Sequence, residues 1–171
     1  MADGMFVEIS PGHIDLQLRP TTPSDEAFVW RVFRDARAEQ FEAAGLSGLL
    51  LEQVLAQQFR SQAAGYSERF PAARSMIITR CATAIGRLLI HCSDEHWHIV
   101  DIALLSKECG SGFGTAVFEG LEASARNRGV AALTLSVLAS NTPARRFYLR
   151  RGFVEMGEAS MSHVAMRKEL G

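Results

Sequence analysis

The chain has 171 residues, 47% hydrophobic and 22% charged, with a formal net charge of −1 at pH 7, which suits one globular domain and excludes a general basic field for nucleic acid. No apolar run approaches the ~20 residues needed to cross a bilayer, and the start lacks the positive stretch and apolar core of a secretory signal. Cys81, Cys92 and Cys109 are odd in number and lack metal-ligand spacing, which argues against a disulfide framework and for a reducing compartment, most simply the cytoplasm.

Residues 1–13 carry Gly4, Pro11 and Gly12 and read either as a loose leader or as an extra edge strand. The domain proper is expected over 14–171. A strand from Ile14 to Arg19 leads into Pro20-Thr21-Thr22-Pro23, after which Ser24 or Asp25 caps a helix to about Phe41, with Phe28, Val32 and Phe33 inward. A second helix is predicted from Ser47 to Ala64. Strands follow at Arg74 to Arg80, Ala84 to His91 and Glu95 to Leu104, with Ser93-Asp94 as a hairpin turn. After a glycine-rich loop comes a helix to Asn127, closed near Gly129, then a strand Ala131 to Leu138 and a helix Asn141 to Arg151. Closing strands are predicted near Phe153 to Met156 and Met161 to Arg167. The order of early helices, antiparallel meander, βαβα and final hairpin predicts a mixed α/β sheet covered by about four helices.

The loop Lys107-Glu108-Cys109-Gly110-Ser111-Gly112-Phe113-Gly114-Thr115 lies between the apolar strand His98 to Leu105 and a helix that turns Val117, Phe118 and Leu121 to one side. Its glycines let backbone N–H groups approach an anion at a helix N-terminus. The dinucleotide fingerprint fails at Thr115, and there is no Gly-Lys-Ser/Thr for a Walker loop. Taken alone, the glycines read better as a plain strand-to-helix loop than as a phosphate site.

A second segment, Asn141-Thr142-Pro143-Ala144-Arg145-Arg146-Phe147-Tyr148-Leu149-Arg150-Arg151-Gly152-Phe153, follows the strand ending at Leu138. The pair resembles the GCN5-related N-acetyltransferase (GNAT) family, whose motifs read Gln/Arg-x-x-Gly-x-Gly/Ala and Asn-x-x-Ala-x-x-Phe-Tyr-x-x-x-Gly-Phe. The resemblance covers most of the chain after residue 13 and is similar to an uncharacterised bacterial subgroup. It implies a central, mostly antiparallel sheet in which the strands ending at Leu104 and Leu138 run parallel and splay into a cleft for acetyl-CoA. It implies cofactor contacts at Leu104, Cys109, Gly110, Ser111, Gly112, Gly114, Thr115, Asn141, Ala144, Phe147 and Tyr148. One position departs from the family: Cys109 stands where the motif has Gln or Arg, so a thiol replaces an amide or guanidinium.

Acetyl transfer to an amine needs a proton acceptor, a polarised carbonyl and a partner for the departing thiolate. The resemblance gives the thiolate's partner as Tyr148 and the polarising N–H as the neighbourhood of Leu104. Without the motif, Tyr148 reads better as an aromatic anchor of its helix; with the motif, the functional role is preferred. Asp101 interrupts an apolar strand and is the leading base, weighed evenly against a solvent-facing carboxylate; His98 and Glu95 are weaker candidates. Asn141 also reads as a helix N-cap. His96-Trp97-His98 has no third ligand at regular spacing, so no metal is expected. Arg145, Arg146, Arg150 and Arg151 read as a solvated face or as phosphate contacts. Phe59, Tyr66, Gln53 and Gln57 are candidates for the acceptor side, the acceptor being a small-molecule or peptide amine. Two classes stay open: a working transferase, and a non-catalytic acyl-CoA-binding module with a degenerate loop. Neither membrane nor nucleic-acid partners are expected, and a homodimer is left open.

Overall fold

The structure, a computed structural model, describes residues 8–158 and 160–171. Strands β1 (Leu16–Pro20), β2 (Arg74–Arg80), β3 (Thr83–Cys92), β4 (His96–Leu104), β5 (Ala132–Leu138), β6 (Val154–Glu158) and β7 (His163–Glu169) form one sheet in the order β1-β2-β3-β4-β5-β7-β6. The β4–β5 pair is parallel and every other pair is antiparallel. Four helices, α1 (Glu26–Ala43), α2 (Gly48–Arg69), α3 (Phe113–Asn127) and α4 (Thr142–Arg150), cover it. This is the expected mixed architecture with its single parallel pair.

Several boundaries move for physical reasons. Ile14 is fully exposed and precedes β1 instead of opening it. The first helix is not capped by the Asp25 side chain. Asp25 instead closes a short 3₁₀ turn, accepting from the Thr22 N–H at 2.8 Å and from both Arg19 terminal nitrogens at 2.7 Å. These partners hold its carboxyl well below the usual range, Arg19 first. α2 runs past the expected Ala64 to Arg69, which puts Tyr66 on a helix. α3 starts at Phe113 rather than Thr115, capped by Gly112 with φ +82°.

Two apolar clusters divide the helices. α3 and α4 press Ala116, Val117, Phe118 and Leu121, with half-buried Ala144, Phe147 and Tyr148, onto sheet residues Leu88, Ile90, Trp97, Ile99, Leu133 and Met166. Phe118 anchors that side, its ring 5.5 Å from Phe147, 5.6 Å from Tyr148 and 5.9 Å from Phe153. α1 and α2 hold together through Phe33, Leu51 and Leu55, joined by Trp30 and Phe59. Phe59 therefore packs in the core of the helix pair, 5.1 Å from the Phe33 ring, and does not line the cavity between β4 and β5.

The chain from Glu8 to His13 crosses α3 outside the sheet: Ile9 is buried, the Gly12 N–H donates to the Ala116 carbonyl at 2.8 Å, and Ser124 Oγ donates to the Glu8 carbonyl at 3.2 Å. The remainder of the expected leader, residues 1–7, lies outside the described residues. A side chain at Gly120 would collide with the Ser10 carbonyl, so this crossing depends on a helix position without a Cβ.

Two irregularities of β4 shape the site. Ile90 pairs with Ile99 while Leu89 pairs with Asp101, so Val100 is an extra residue on β4, a β-bulge. Strict alternation would place Asp101 on the same side as Ile99. The bulge turns it instead to the face covered by α1 and α2, while Ile102 and Leu104 pack against the α3 side. Pairing of β4 with β5 also ends here, at Ile99↔Leu135. Beyond that point β4 stays with β3 as far as Leu104↔Gly86, and β5 stays with β7 as far as Leu138↔His163. The parallel strands thus splay apart immediately after the bulge.

Candidate active site

The glycine loop lies at the end of β4, where a 3₁₀ turn over Ser106–Glu108 leads into α3. Asp35 on α1 fixes that turn by accepting from the Ser106 N–H at 2.6 Å and from its hydroxyl at 2.8 Å. Gly110 and Gly112 have φ of +78° and +82°, and a Cβ at either would meet no atom within 4 Å. Glycine is thus demanded there by backbone conformation and not by crowding. Gly114, in the first turn of α3, faces the Phe147 ring 3.7 Å from where its Cβ would be. Ser111 is exposed and Thr115 half-buried. The first-turn N–H groups have no intrahelical acceptor, which leaves a set of donors at the positive end of the helix dipole. This loop fits an anionic phosphate group.

Cys109 is exposed, its thiol 3.5 Å from the Leu105 carbonyl. Burial pushes the thiol upward, and the negative charges of Asp35 and Glu108 push it further, so it stays protonated and is a poor nucleophile. The Leu105 N–H donates to Ile85 at 2.8 Å, so the alternation of strand amides turns the Leu104 N–H away from β3, to the side that β5 has left. The Leu104 side chain itself packs into the α3 core.

Between the splayed strands lies a cavity of about 220 Å³ that brings Asp101, Tyr148, Asn141 and Ala144 together. Asn141 caps α4, accepting from the Ala144 N–H at 3.3 Å, so capping and a cavity position coincide. Asp101 lies 3.8 Å from Arg87, diagonally across the β3–β4 ladder. Burial pushes the Asp101 carboxyl above its ordinary value, against the opposing pull of Arg87, Arg37 and the Ile102 N–H. The Tyr148 hydroxyl is pushed up to about 12, by burial first and by Asp101 second. Tyr66, from α2, is likewise pushed up to about 12 by burial and by Asp101. Both phenols hold their protons across the neutral range.

The weaker base candidates do not enter the cavity. His98 stacks on Phe70 at 4.9 Å and lies 2.9 Å from the Thr134 hydroxyl, and burial lowers it to about 4, which keeps the ring neutral. Glu95 is exposed before β4. Gln53 and Gln57 are exposed on α2, away from the cavity lining. Of the arginine cluster, Arg145 pairs with Glu155 at 2.6 Å and Arg151 with Glu122 at 2.8 Å, which makes those two structural ties; Arg146 and Arg150 are exposed. Among the described residues no group of three or more His, Cys, Asp or Glu could hold a metal ion, and no helix is long and apolar enough to cross a membrane.

The structure adds Arg37, Gln62, Ser136 and His163 to the cavity and Arg87 to the support of Asp101. Arg37 was legible in principle, because it lies four residues after the inward Phe33 and shares its helix face. Gln62 stands in the same relation to Tyr66. His163 and Ser136 carry no such signal, since a cross-strand pairing brings them near.

Solved structures share this architecture at low sequence identity. A Thermoplasma acidophilum PaiA N-acetyltransferase, solved in complex with coenzyme A, matches with a TM-score of 0.66 and 15% identity, covering 90% of this chain and 98% of its own. A Thermus thermophilus acetyltransferase matches with a TM-score of 0.66 and 21% identity over 91% and 97% of the two chains. A Bacillus subtilis protein named uncharacterized N-acetyltransferase YycN is 33% identical over 90 residues, 50% of this chain and 54% of that protein. The chain thus spans about half the length of this curated relative. The model of the acetyltransferase (GNAT) family, whose acyl donor is acetyl-CoA, matches residues 30–153, the stretch that holds both the glycine loop and α4. The chain belongs to the acetyltransferase (GNAT) family.

Proposed function

We propose that the protein is an acetyl-CoA-dependent N-acetyltransferase that acts on the amine of a small molecule or peptide within a ternary complex. The observation that carries this reading is the convergence of Asp101 and Tyr148 on one cavity at the splay of β4 and β5. When bound, acetyl-CoA supplies a thioester whose C–S bond breaks as the acceptor's C–N bond forms. The N–H groups from Gly110 to Thr115 would hold its pyrophosphate, with Cys109 beside them, and Asn141, Ala144, Phe147 and Tyr148 would flank its arm.

Each residue then has a task that its environment suits. An ammonium has no lone pair, so Asp101 takes its proton, directly or through water; burial makes this carboxylate a stronger base than an exposed one. The Leu104 N–H polarises the carbonyl. With its pKa pushed up to about 12, against ~8.5 for a thiol, the Tyr148 hydroxyl stabilises the departing sulfur as a hydrogen-bond donor more than it surrenders its proton.

Release of free thiol from acetyl-CoA over a panel of amines tests the reading. Turnover by the wild type, lost in Asp101→Asn while acetyl-CoA still binds, is the expected result. Tight acetyl-CoA binding with no amine consumed would favour a non-catalytic acyl-CoA-binding module, and absence of binding would remove the assignment.

A further inference from the structure

We infer that the acceptor amine carries its own carboxylate, with Arg37 receiving that carboxylate on the α1 side of the cavity and Asp101 facing the ammonium. The inference rests on the acetyl-transfer reading of the same site and names the substrate class it would take.

Arg37 is a half-buried side chain of α1 that lines the cavity together with Gln62, Tyr66 and Asp101. Its guanidinium carbon lies 4.2 Å from the centroid of the Phe33 ring, a cation–π contact. The edge donors remain for a partner. Several other half-buried arginines have a carboxylate partner: Arg34 has Glu52, Arg87 has Asp101 at 3.8 Å, Arg145 has Glu155 at 2.6 Å and Arg151 has Glu122 at 2.8 Å. Arg37 forms no ion pair among the described residues. A desolvated guanidinium without an anion is costly once a ligand displaces water, so the cavity favours a ligand that brings one.

The opposite charge is already in place. Asp101 sits in the same cavity, close enough for Arg37 to pull its carboxyl downward. A positive and a negative group lining one small cavity are complementary to a zwitterion. A plain alkylamine would satisfy Asp101 and leave Arg37 unpaired, and a peptide N-terminus would offer Arg37 only an amide. Arg also matches a carboxylate bidentately, which fixes the amine's position as well as its charge.

Calorimetry on the coenzyme A-loaded protein tests this without relying on turnover. The probes are the protein amino acids, β-alanine and γ-aminobutyrate, each against its own carboxamide. At least one acid should bind about tenfold or more tighter than its amide; Arg37→Met should weaken that acid by about 10–100-fold while leaving carboxamide and coenzyme A affinities in place. Arg37→Lys should recover part of the loss. Equal binding of every acid and amide, no binding by any probe, or an unchanged preference in Arg37→Met would overturn the inference. The two readings fail separately: an acid that binds through Arg37 but is never acetylated sinks the transferase reading alone, whereas acetylation indifferent to the carboxylate sinks only this one.

Discussion

The two walls of the cleft are built by different means. The wall proposed for the acyl donor is made largely of backbone: contiguous N–H groups of one loop and the first turn of α3, plus the start of α4. The wall proposed for the acceptor is made of side chains drawn from α1, α2, β4 and β7, brought together by a bulge and by the helix pair. A site made of contiguous backbone is written in adjacent residues. One made of side chains from four elements is written only in their spatial meeting.

Removing chemistry while sparing the donor wall should have the largest effect. Tyr148→Phe is expected to lower turnover about 10²–10⁴-fold, with acetyl-CoA affinity nearly unchanged in calorimetry. Asp101→Asn should cost a similar factor. The wild-type rate should rise with pH through the Asp101 pKa, which lies above the ordinary carboxylate value, because only the deprotonated form accepts a proton; the asparagine variant should lack that limb. An identical pH profile in both would assign the base elsewhere.

Attacking the donor wall should give the reverse pattern. Gly112→Val places a β-branched side chain at φ +82°, a strain of ~1–3 kcal/mol, and should weaken acetyl-CoA about 10–100-fold. Unchanged affinity would remove the loop from the donor site. A smaller gain is expected from Cys109→Arg: the position is exposed and its backbone extended, so a guanidinium can reach a bound pyrophosphate and tighten acetyl-CoA by ~1.5–3 kcal/mol. Weaker binding would mean that the thiol's contact with Leu105 shapes the loop.

The smallest effect should touch neither wall. Asp25 has a folded pKa below its unfolded value of ~3.9, so its contribution is present above the unfolded value and fades as pH falls through the folded one. Asp25→Asn should therefore narrow the difference in melting temperature between neutral and acidic solution while leaving catalysis at pH 7 in place.

Legibility follows the same division. The glycine loop and the Asn141 to Phe153 segment point to the family from adjacent residues, and the mixed α/β class follows from the alternation of elements. The residues of α2 were harder to place, because their position depends on packing. Gln53 and Gln57 look available but face solvent, and Phe59 looks like a substrate platform but closes the α1–α2 core. Arg37, four residues after Phe33, and Gln62, four before Tyr66, are the cavity residues whose helical spacing announced their position.

Asp101 marks the boundary between the two kinds of information. By itself the sequence determined that a carboxylate interrupts an apolar strand, that a glycine-rich loop precedes α3, and that Asn141 caps α4; each follows from residue type and near neighbours. Only the tertiary structure decided which face Asp101 occupies, because a single extra residue at Val100 reverses the alternation of every side chain after it. That reversal turns a carboxylate that strict alternation would send toward the α3 core into the cavity with Arg37, Tyr66 and Tyr148. A bulge is set by how β4 pairs with β3, a long-range property that no local pattern in β4 records.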